Sequence, residues 1–308
     1  PYYYSDEDGE IDHQTLTVDA NDTSVLVVTE GSAVNVSYTD VIKEGYSTWL
    51  NQASFFGVNA AINVANASTA YIDHSNVTVH NGAANIYAYG TGTTVYVSNT
   101  DLYSSGPVSH GLYAAGNGTI YASNLRHYSG GERSSSFSGD SPGGYIYVTD
   151  AIAHTAGVGS AIFYTLGDSY GKDVVGKSEN GPSLFSDGAQ SSVFENVDFT
   201  AGLLAGTVMF SSSTRSSGAS LSFSNSRLTT LGDDMAALWF GNLIASATLH
   251  ATELNTTSGI LVIANASQVT QSFDHFVGWE ENSSIQPAQA TVTVTESTLS
   301  GDIVAYNG

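Results

Sequence analysis

The feature that most restricts this chain is a motif that returns about every 25 residues. It reads apolar, x, apolar, Ser/Thr/x, Asn, Ser/Thr/x, x, apolar. Clear copies are Ile72-Asp73-His74-Ser75-Asn76-Val77-Thr78-Val79, Val95-Tyr96-Val97-Ser98-Asn99-Thr100-Asp101-Leu102 and Leu221-Ser222-Phe223-Ser224-Asn225-Ser226-Arg227-Leu228. Ile120 to His127 carries it with Asn124, Ile146 to Ala153 with Asp150, and the copy starting at Ser192 with Asn196. Ala247 to Leu254 and Val292 to Leu299 are looser, and an early copy starts at Val34. From Ile72 the starts step by 23, 25, 26, 46, 29, 26 and 45 residues, so each long step conceals a degenerate copy, with Val269 to Phe276 fitting the second.

A second motif falls between the first ones: small, aliphatic, aromatic, small, x, Gly. It reads Asn85-Ile86-Tyr87-Ala88-Tyr89-Gly90, then Gly111-Leu112-Tyr113-Ala114-Ala115-Gly116, and continues at Ile162-Phe163, Leu184-Phe185, Val208-Met209, Leu238-Trp239, Ile260-Leu261 and Ile303-Val304. Each period therefore holds two short strands joined by Gly, Ser and Asn turns. Helical spacing is nowhere sustained. These features predict an all-β fold, a β-solenoid of about ten to twelve coils. Asn76, Asn99, Asn124, Asn196 and Asn225 are expected at one turn of successive coils, their amides bonding up and down the stack.

The strand-turn-strand coils and the Asn ladder resemble the right-handed parallel β-helix proteins of the pectin-lyase-like superfamily, over roughly residues 34–308. The runs Asn225-Ser226-Arg227-Leu228-Thr229-Thr230-Leu231-Gly232 and Gly157-Val158-Gly159-Ser160-Ala161-Ile162-Phe163-Tyr164 are similar to secreted fungal and bacterial β-helix proteins of unassigned activity. The resemblance implies a single-stranded right-handed parallel β-helix and directs attention to polysaccharides. Residues 1–14 read as an acidic N-terminal arm or cap, and residues 15–308 as the solenoid domain.

Charge narrows the partners. Seven Lys+Arg face 29 Asp+Glu, for a net charge of -22. Nucleic acid and anionic membrane surfaces are disfavoured, because both need clustered cations. No apolar run approaches the ~18 residues of a membrane span. Cys is absent, which excludes disulfides and thiolate metal sites. The chain opens on Pro1 and carries sequons at Asn21, Asn35, Asn66, Asn76, Asn117, Asn255, Asn265 and Asn282. These cues favour a secreted, extracellular glycoprotein, read as a mature or trimmed form and expected to be a monomer.

Stacking turns each motif position into a column. Position seven reads Asp101 then Arg126, and further on Asp198, Arg227, Glu253, which predicts ion pairs between coils. In the second motif the aliphatics are sent inward and the aromatics outward, because adjacent strand residues face opposite sides. Tyr87, Tyr113, Phe163, Phe185 and Trp239 would then form an exposed stripe suited to stacking on an extended glycan. Tyr96, Tyr121 and Tyr147 form a shorter outward column on the other strand.

The candidate chemistry lies just beyond the second strand. Asp140, Asp168 and Asp187 fall in adjacent coils, with Arg133, Lys172 and Lys177 the bases near them. Stacked carboxylates repel unless one is protonated or a cation sits between them, and Ca²⁺ takes such oxygen ligands. Paired carboxylates also suit glycoside hydrolysis. The resemblance adds a lyase alternative in which an Arg such as Arg133 abstracts the proton beside a uronate carboxylate. A solvated acidic loop is the plain structural reading. His110 opens a strand beside Tyr113 and could serve as a general acid or base, whereas His74 falls in an inward slot.

The superfamily's polygalacturonase-type pattern is rejected. Asn99-Thr100-Asp101 matches its first motif, but Ser109-His110-Gly111 follows too soon, Asp233-Asp234 lies too far on, and no Arg-x-Lys appears. Thr-x-Thr arrays are confined to two short stretches, which sets ice binding aside. Two functions remain: a secreted hydrolase or lyase acting on a polysaccharide through a surface groove, or a non-catalytic, adhesin-like glycan-binding β-helix.

Overall fold

The computed structural model describes residues 1–82, 84–265, 267–271, 276–281 and 286–305, without the side chains of residues 265–281. It is all β apart from one short helix among the described residues, with parallel strands stacked as a solenoid of about ten turns. Each coil contributes a short strand, usually of four residues, to a 12-stranded sheet, here called sheet A, and a longer stretch to a second parallel array. The coil containing Ile86–Tyr89 and Thr94–Ser105 is representative.

The longer strand bends at the fifth motif position. Tyr38, His74, Asn99, Asn124, Asp150, Asp173, Asn196 and Asn225 all have φ between 45° and 54°. Asn and Asp tolerate this left-handed conformation best among residues with a side chain. Asn124 Nδ2 donates to Asn99 Oδ1 at 2.7 Å, Asn99 to Asp73, and Asn196 to Asp173. Asn76 is not in this column: His74 takes the bend, and Asn76 lies opposite Asp40 and Asp101. His74 is exposed rather than inward, and its ring continues the stack His13–Tyr38–His74.

On both sides of the bend, alternation decides burial. In Thr94–Ser105, Val95, Val97, Leu102 and Ser104 point inward while Tyr96 and Tyr103 point out. The anticipated ion pairs form. Arg126 grips Asp101 through two bonds of 2.7 Å, and Arg227 bridges Asp198 and Glu253 at 3.3 and 3.2 Å.

The repeat departs from its sequence pattern in three places. The first long step holds the expected coil, Asp168–Ser178. The second does not: Leu243–His250 pairs directly with Gln289–Thr295, and Ser267–Gln271 and Phe276–Glu281 form an antiparallel hairpin inserted between them. Residues 1–14, read as an arm or cap, contribute strands to the stack, with Tyr2–Ser5 pairing with Leu26–Thr29 and Gly9–Asp12 with Ala33–Ser37. The helix Leu50–Phe56 has no counterpart in the repeat. It ends at Gly57, which takes φ 65° and returns its N–H to the Ala53 carbonyl.

Candidate functional site

Both faces of sheet A are buried. Its strands show Leu112–Ala115, Thr207–Phe210 and Leu238–Gly241 buried at every position. One face holds the column Ile86, Leu112, Phe137, Phe163, Leu184 and Leu238; the other holds Tyr87, Tyr113, Ser138, Tyr164, Phe185, Val208 and Trp239. The anticipated columns are thus one residue out of register at Phe163, which lies in the core while Tyr164 takes the other face, and again at Val208, which joins Phe185 and Trp239 on the outer face. Phe137 explains the first slip, because an aromatic occupies the aliphatic slot of its coil.

The expected exposed stripe is corrected for the same reason: elements outside the sheet cover it. Tyr87 is sealed beneath the helix and donates its hydroxyl to the Ser54 carbonyl at 3.0 Å. Phe185 and Trp239 join Leu204 and Ala205 of a turn in a second apolar cluster. No carbohydrate ring can stack on these faces as they stand.

Between the helix and this cluster the outer face is polar. Asp140 lies just beyond the strand Phe137–Ser138 and Asp187 ends the strand Leu184–Asp187 that carries Phe185; the Asp187 charge acts on Asp140, and both charges act on Tyr164. Burial pushes the Asp140 carboxyl up, and the Asp187 charge adds to this; the Ser141 N–H and the Arg133 charge oppose it. Asp187 is likewise raised by burial, against the Ser212 N–H that it accepts at 2.8 Å. Tyr113 Oη is buried with Asp140 as its hydrogen-bonding neighbour, an interaction that lowers the Asp140 carboxyl and raises the phenol. Burial holds the phenols of Tyr113 and Tyr164 well above their ordinary value.

These groups surround a small cavity of about 30 Å³ lined by Tyr113, Tyr164, Asp140, Arg133, His110 and Ser54, among others. Such a volume holds about one water molecule. Turn residues near Val108, Arg133 and Gly159 wall one side, and the helix supplies Ser54. Three of the five residues singled out for catalysis, Asp140, Arg133 and His110, therefore converge with Tyr113 at the cavity, while Asp187 lies outside its lining and acts on Asp140 through its charge. Tyr164 and Ser54 were not anticipated: the register slip hid Tyr164, and Leu50-Asn51-Gln52-Ala53-Ser54-Phe55-Phe56 before Gly57 was the only trace of the helix.

His110 is not an acid–base group here. It is buried, and burial followed by the Arg133 charge pushes it down to about 3, so it stays neutral. Its Nδ1 accepts from the Ser135 N–H at 3.1 Å and the Ser138 hydroxyl at 3.0 Å.

Asp168 is not in the cluster. It begins the exposed leg Asp168–Ser178, opposite Tyr145, and accepts the Ser191 N–H at 2.8 Å. The three-carboxylate Ca²⁺ site is therefore not assembled. Among the described residues no group of three or more His, Asp or Glu could hold a metal ion.

The exposed aromatics are instead Tyr71, Tyr96, Tyr121 and Tyr147, stacked rung on rung at 5.1, 5.3 and 5.0 Å, with Tyr170 beyond at 6.4 Å. The first four rings are nearly parallel, so their faces cover one another and their edges and hydroxyls point outward. A depression of about 340 Å³ runs over Tyr96, Tyr121 and Tyr147. Along the left-handed bends a groove follows the solenoid axis in two stretches of about 570 and 950 Å³.

Among the described sequons Asn21, Asn35, Asn66, Asn76, Asn117 and Asn255 are exposed. Asn66 and Asn76 spend their amides on Glu30 and Asp40. The Asn265 side chain and Asn282 lie outside the described residues. Among the described residues no helix is long and apolar enough to cross a membrane. No family model, curated protein or solved structure matches the chain.

Proposed function

We propose that this protein is a carbohydrate-active β-solenoid, exported from the cell, that hydrolyses an extended neutral polysaccharide at Asp140 and Asp187. The observation that carries the reading is a cavity where Asp140, raised by burial, meets Arg133, Tyr113 and Tyr164, with a second burial-raised carboxyl, Asp187, close enough for its charge to act on Asp140 and Tyr164. Perturbed groups gathered in a cleft are the usual mark of proton-transfer chemistry. Asp140, whose proton is held by burial and by the Asp187 charge, serves as the general acid toward the glycosidic oxygen. Asp187 serves as the base that draws a proton from water.

Spacing supports this division. Continuing the register of sheet A places Asp140 opposite Leu166 and Leu166 opposite Asp187. The two carboxylates are thus two rungs apart, about 9.6 Å at the backbone. That leaves room for a water between acid and base, as direct displacement by water requires, and exceeds the ~5 Å of a nucleophilic pair. The net charge of -22 repels polyuronates and favours a neutral chain. The resemblance of the repeat to pectin-lyase-like β-helices supports an extended polysaccharide as substrate.

One observation favours the second reading, a non-catalytic glycan-binding module. The tyrosine ladder is exposed and flanked by Thr94, Thr119, Ser98 and Ser123, whereas the cavity is only water-sized. Incubation with a panel of neutral polysaccharides, followed by product analysis, separates the two. The hydrolase reading expects new reducing ends with the wild type and with Asp168→Ala, and a loss of 10²-fold or more in Asp140→Ala and Asp187→Ala. Binding through Tyr121 with no product from any glycan would overturn it.

A further inference from the structure

The bent strands carry one surface column whose chemistry is self-complementary. At the seventh motif position the order along the axis is Asn76, Asp101, Arg126 and Ile152. It continues through Val175, Asp198, Arg227 and Glu253. Ile152 and Val175 are neighbours at the centre and are 56% and 57% exposed, two aliphatic side chains in a column otherwise polar. Exposed aliphatics gain nothing from this position in an isolated chain.

We infer that this face joins two copies of the chain in an antiparallel, two-fold dimer centred between Ile152 and Val175. A two-fold axis lying in the interface parallel to the strands reverses the order of rungs and keeps the position along each strand. It sets the same column against itself in reverse, as an isologous contact requires. Ile152 then meets Val175 of the second copy, and the reverse contact follows. One rung out, Arg126 meets Asp198; two rungs out, Asp101 meets Arg227. Three rungs out, the Asn76 amide meets the Glu253 carboxylate. Within this column every charge encounters an opposite charge or an amide, and none encounters its like.

Charge complementarity is what commits this face to a second copy. The internal pairs Asp101–Arg126 and Asp198–Arg227–Glu253 already hold these side chains in place, which lowers the entropy lost on docking. The column two residues further along is compatible. It places His154 against Lys177 at the centre, where Glu179 accepts from both within one chain, and Tyr103 and Tyr128 against Thr229 and Thr200. Asp150 and Asp173, on the bend itself, line the same open groove as Ile152 and Val175 and face one another across the two-fold, the one like-charge encounter of the arrangement. Eight rungs span about 34 Å and the leg about 15 Å. The footprint is therefore about 500 Å² per copy, about 1,000 Å² in total, which falls below stable specific interfaces and suits a weak, reversible dimer.

Sedimentation velocity over a range of concentrations tests the dimer. The wild type is expected to dimerise reversibly. Ile152→Asp is expected to weaken dimerisation at least tenfold. The exchange Asp101→Arg with Arg126→Glu keeps the internal ion pair but puts like charges across the two-fold, and is expected to do the same. Adding Asp198→Arg, Arg227→Glu and Glu253→Arg restores opposite charges, and the dimer is expected to return. A wild type that stays monomeric at every concentration overturns the inference. So does a dimer indifferent to Ile152→Asp and to the first exchange, or a folded combined variant that stays monomeric. Should an exchanged variant fail to fold, Ile152→Asp and Val175→Asp, both at exposed positions outside any ion pair, decide alone.

Discussion

Asn124 donates its side-chain amide to the Asn99 carbonyl of the rung below at 2.7 Å, and both residues sit at φ near 50°. The bend thus asks two things of one residue: a backbone in the left-handed region and a side chain that bonds along the axis. Asn124→Gly meets the first and Asn124→Ala neither. Urea denaturation should show Asn124→Ala less stable by about 1–2 kcal/mol, and Asn124→Gly closer to the wild type. An equal loss in both would assign the cost to the amide bond alone.

Tyr113 carries a buried hydroxyl whose hydrogen-bonding neighbour is Asp140, and the contact holds the Asp140 carboxyl lower than burial alone would. A hydrogen bond to a charged group contributes about 1.5–3 kcal/mol. Tyr113→Phe is therefore expected to melt lower than the wild type at pH 7 and to raise the Asp140 carboxyl further, as read by NMR titration. A melting temperature that rises would mean that the hydroxyl makes no bond to Asp140 in solution.

The Asp140 carboxyl is raised on folding, chiefly by burial. Its neutral form is the one the fold prefers, so its contribution is most favourable at acid pH and diminishes as pH rises through the folded value. Asp140→Asn, neutral throughout, should be more stable than the wild type at pH 7 by a few degrees in Tm, about 2–4 °C per kcal/mol. The advantage should vanish toward pH 3.

His110 and His127 are buried and pushed down to about 3, in both cases chiefly by burial. The unfolded chain binds these protons near pH 6.5 and the folded chain does not. Their contribution is complete above pH 6.5 and is lost as pH falls from there to about 3. Two such groups give a slope of about 2.7 kcal/mol per pH unit within that window. His127→Gln, which can keep one of the bonds now made with the Ser104 and Ser136 hydroxyls, should halve the slope in urea titrations between pH 4 and 6.

The repeat was legible because stacking imposes one demand at each position of every coil. Val95 and Ile120 face the core for the same reason, and Asp101 and Arg126 meet because their places in the motif are the same. The register slipped where a coil broke the pattern, at Phe137 and Phe163, since period-two alternation loses its meaning when both faces of a sheet are covered. The convergence of Asp140, Asp187 and Arg133 could be anticipated from coil position, but Asp168 could not be separated from them. Its place depends on where the short strand of sheet A ends and the exposed leg begins, and the turns set that boundary.

The order of rungs, the left-handed bend and the charges along each column thus follow from the sequence alone, because they depend on residue spacing and local backbone preference. Which aromatic rings are covered, how the inserted helix and turns close over Tyr87 and Tyr113, and how Asp140 comes to share a cavity with Arg133 and Tyr164 were decided by tertiary structure. Burial depends on segments that pack from outside the repeat, and no periodicity within the repeat encodes their position.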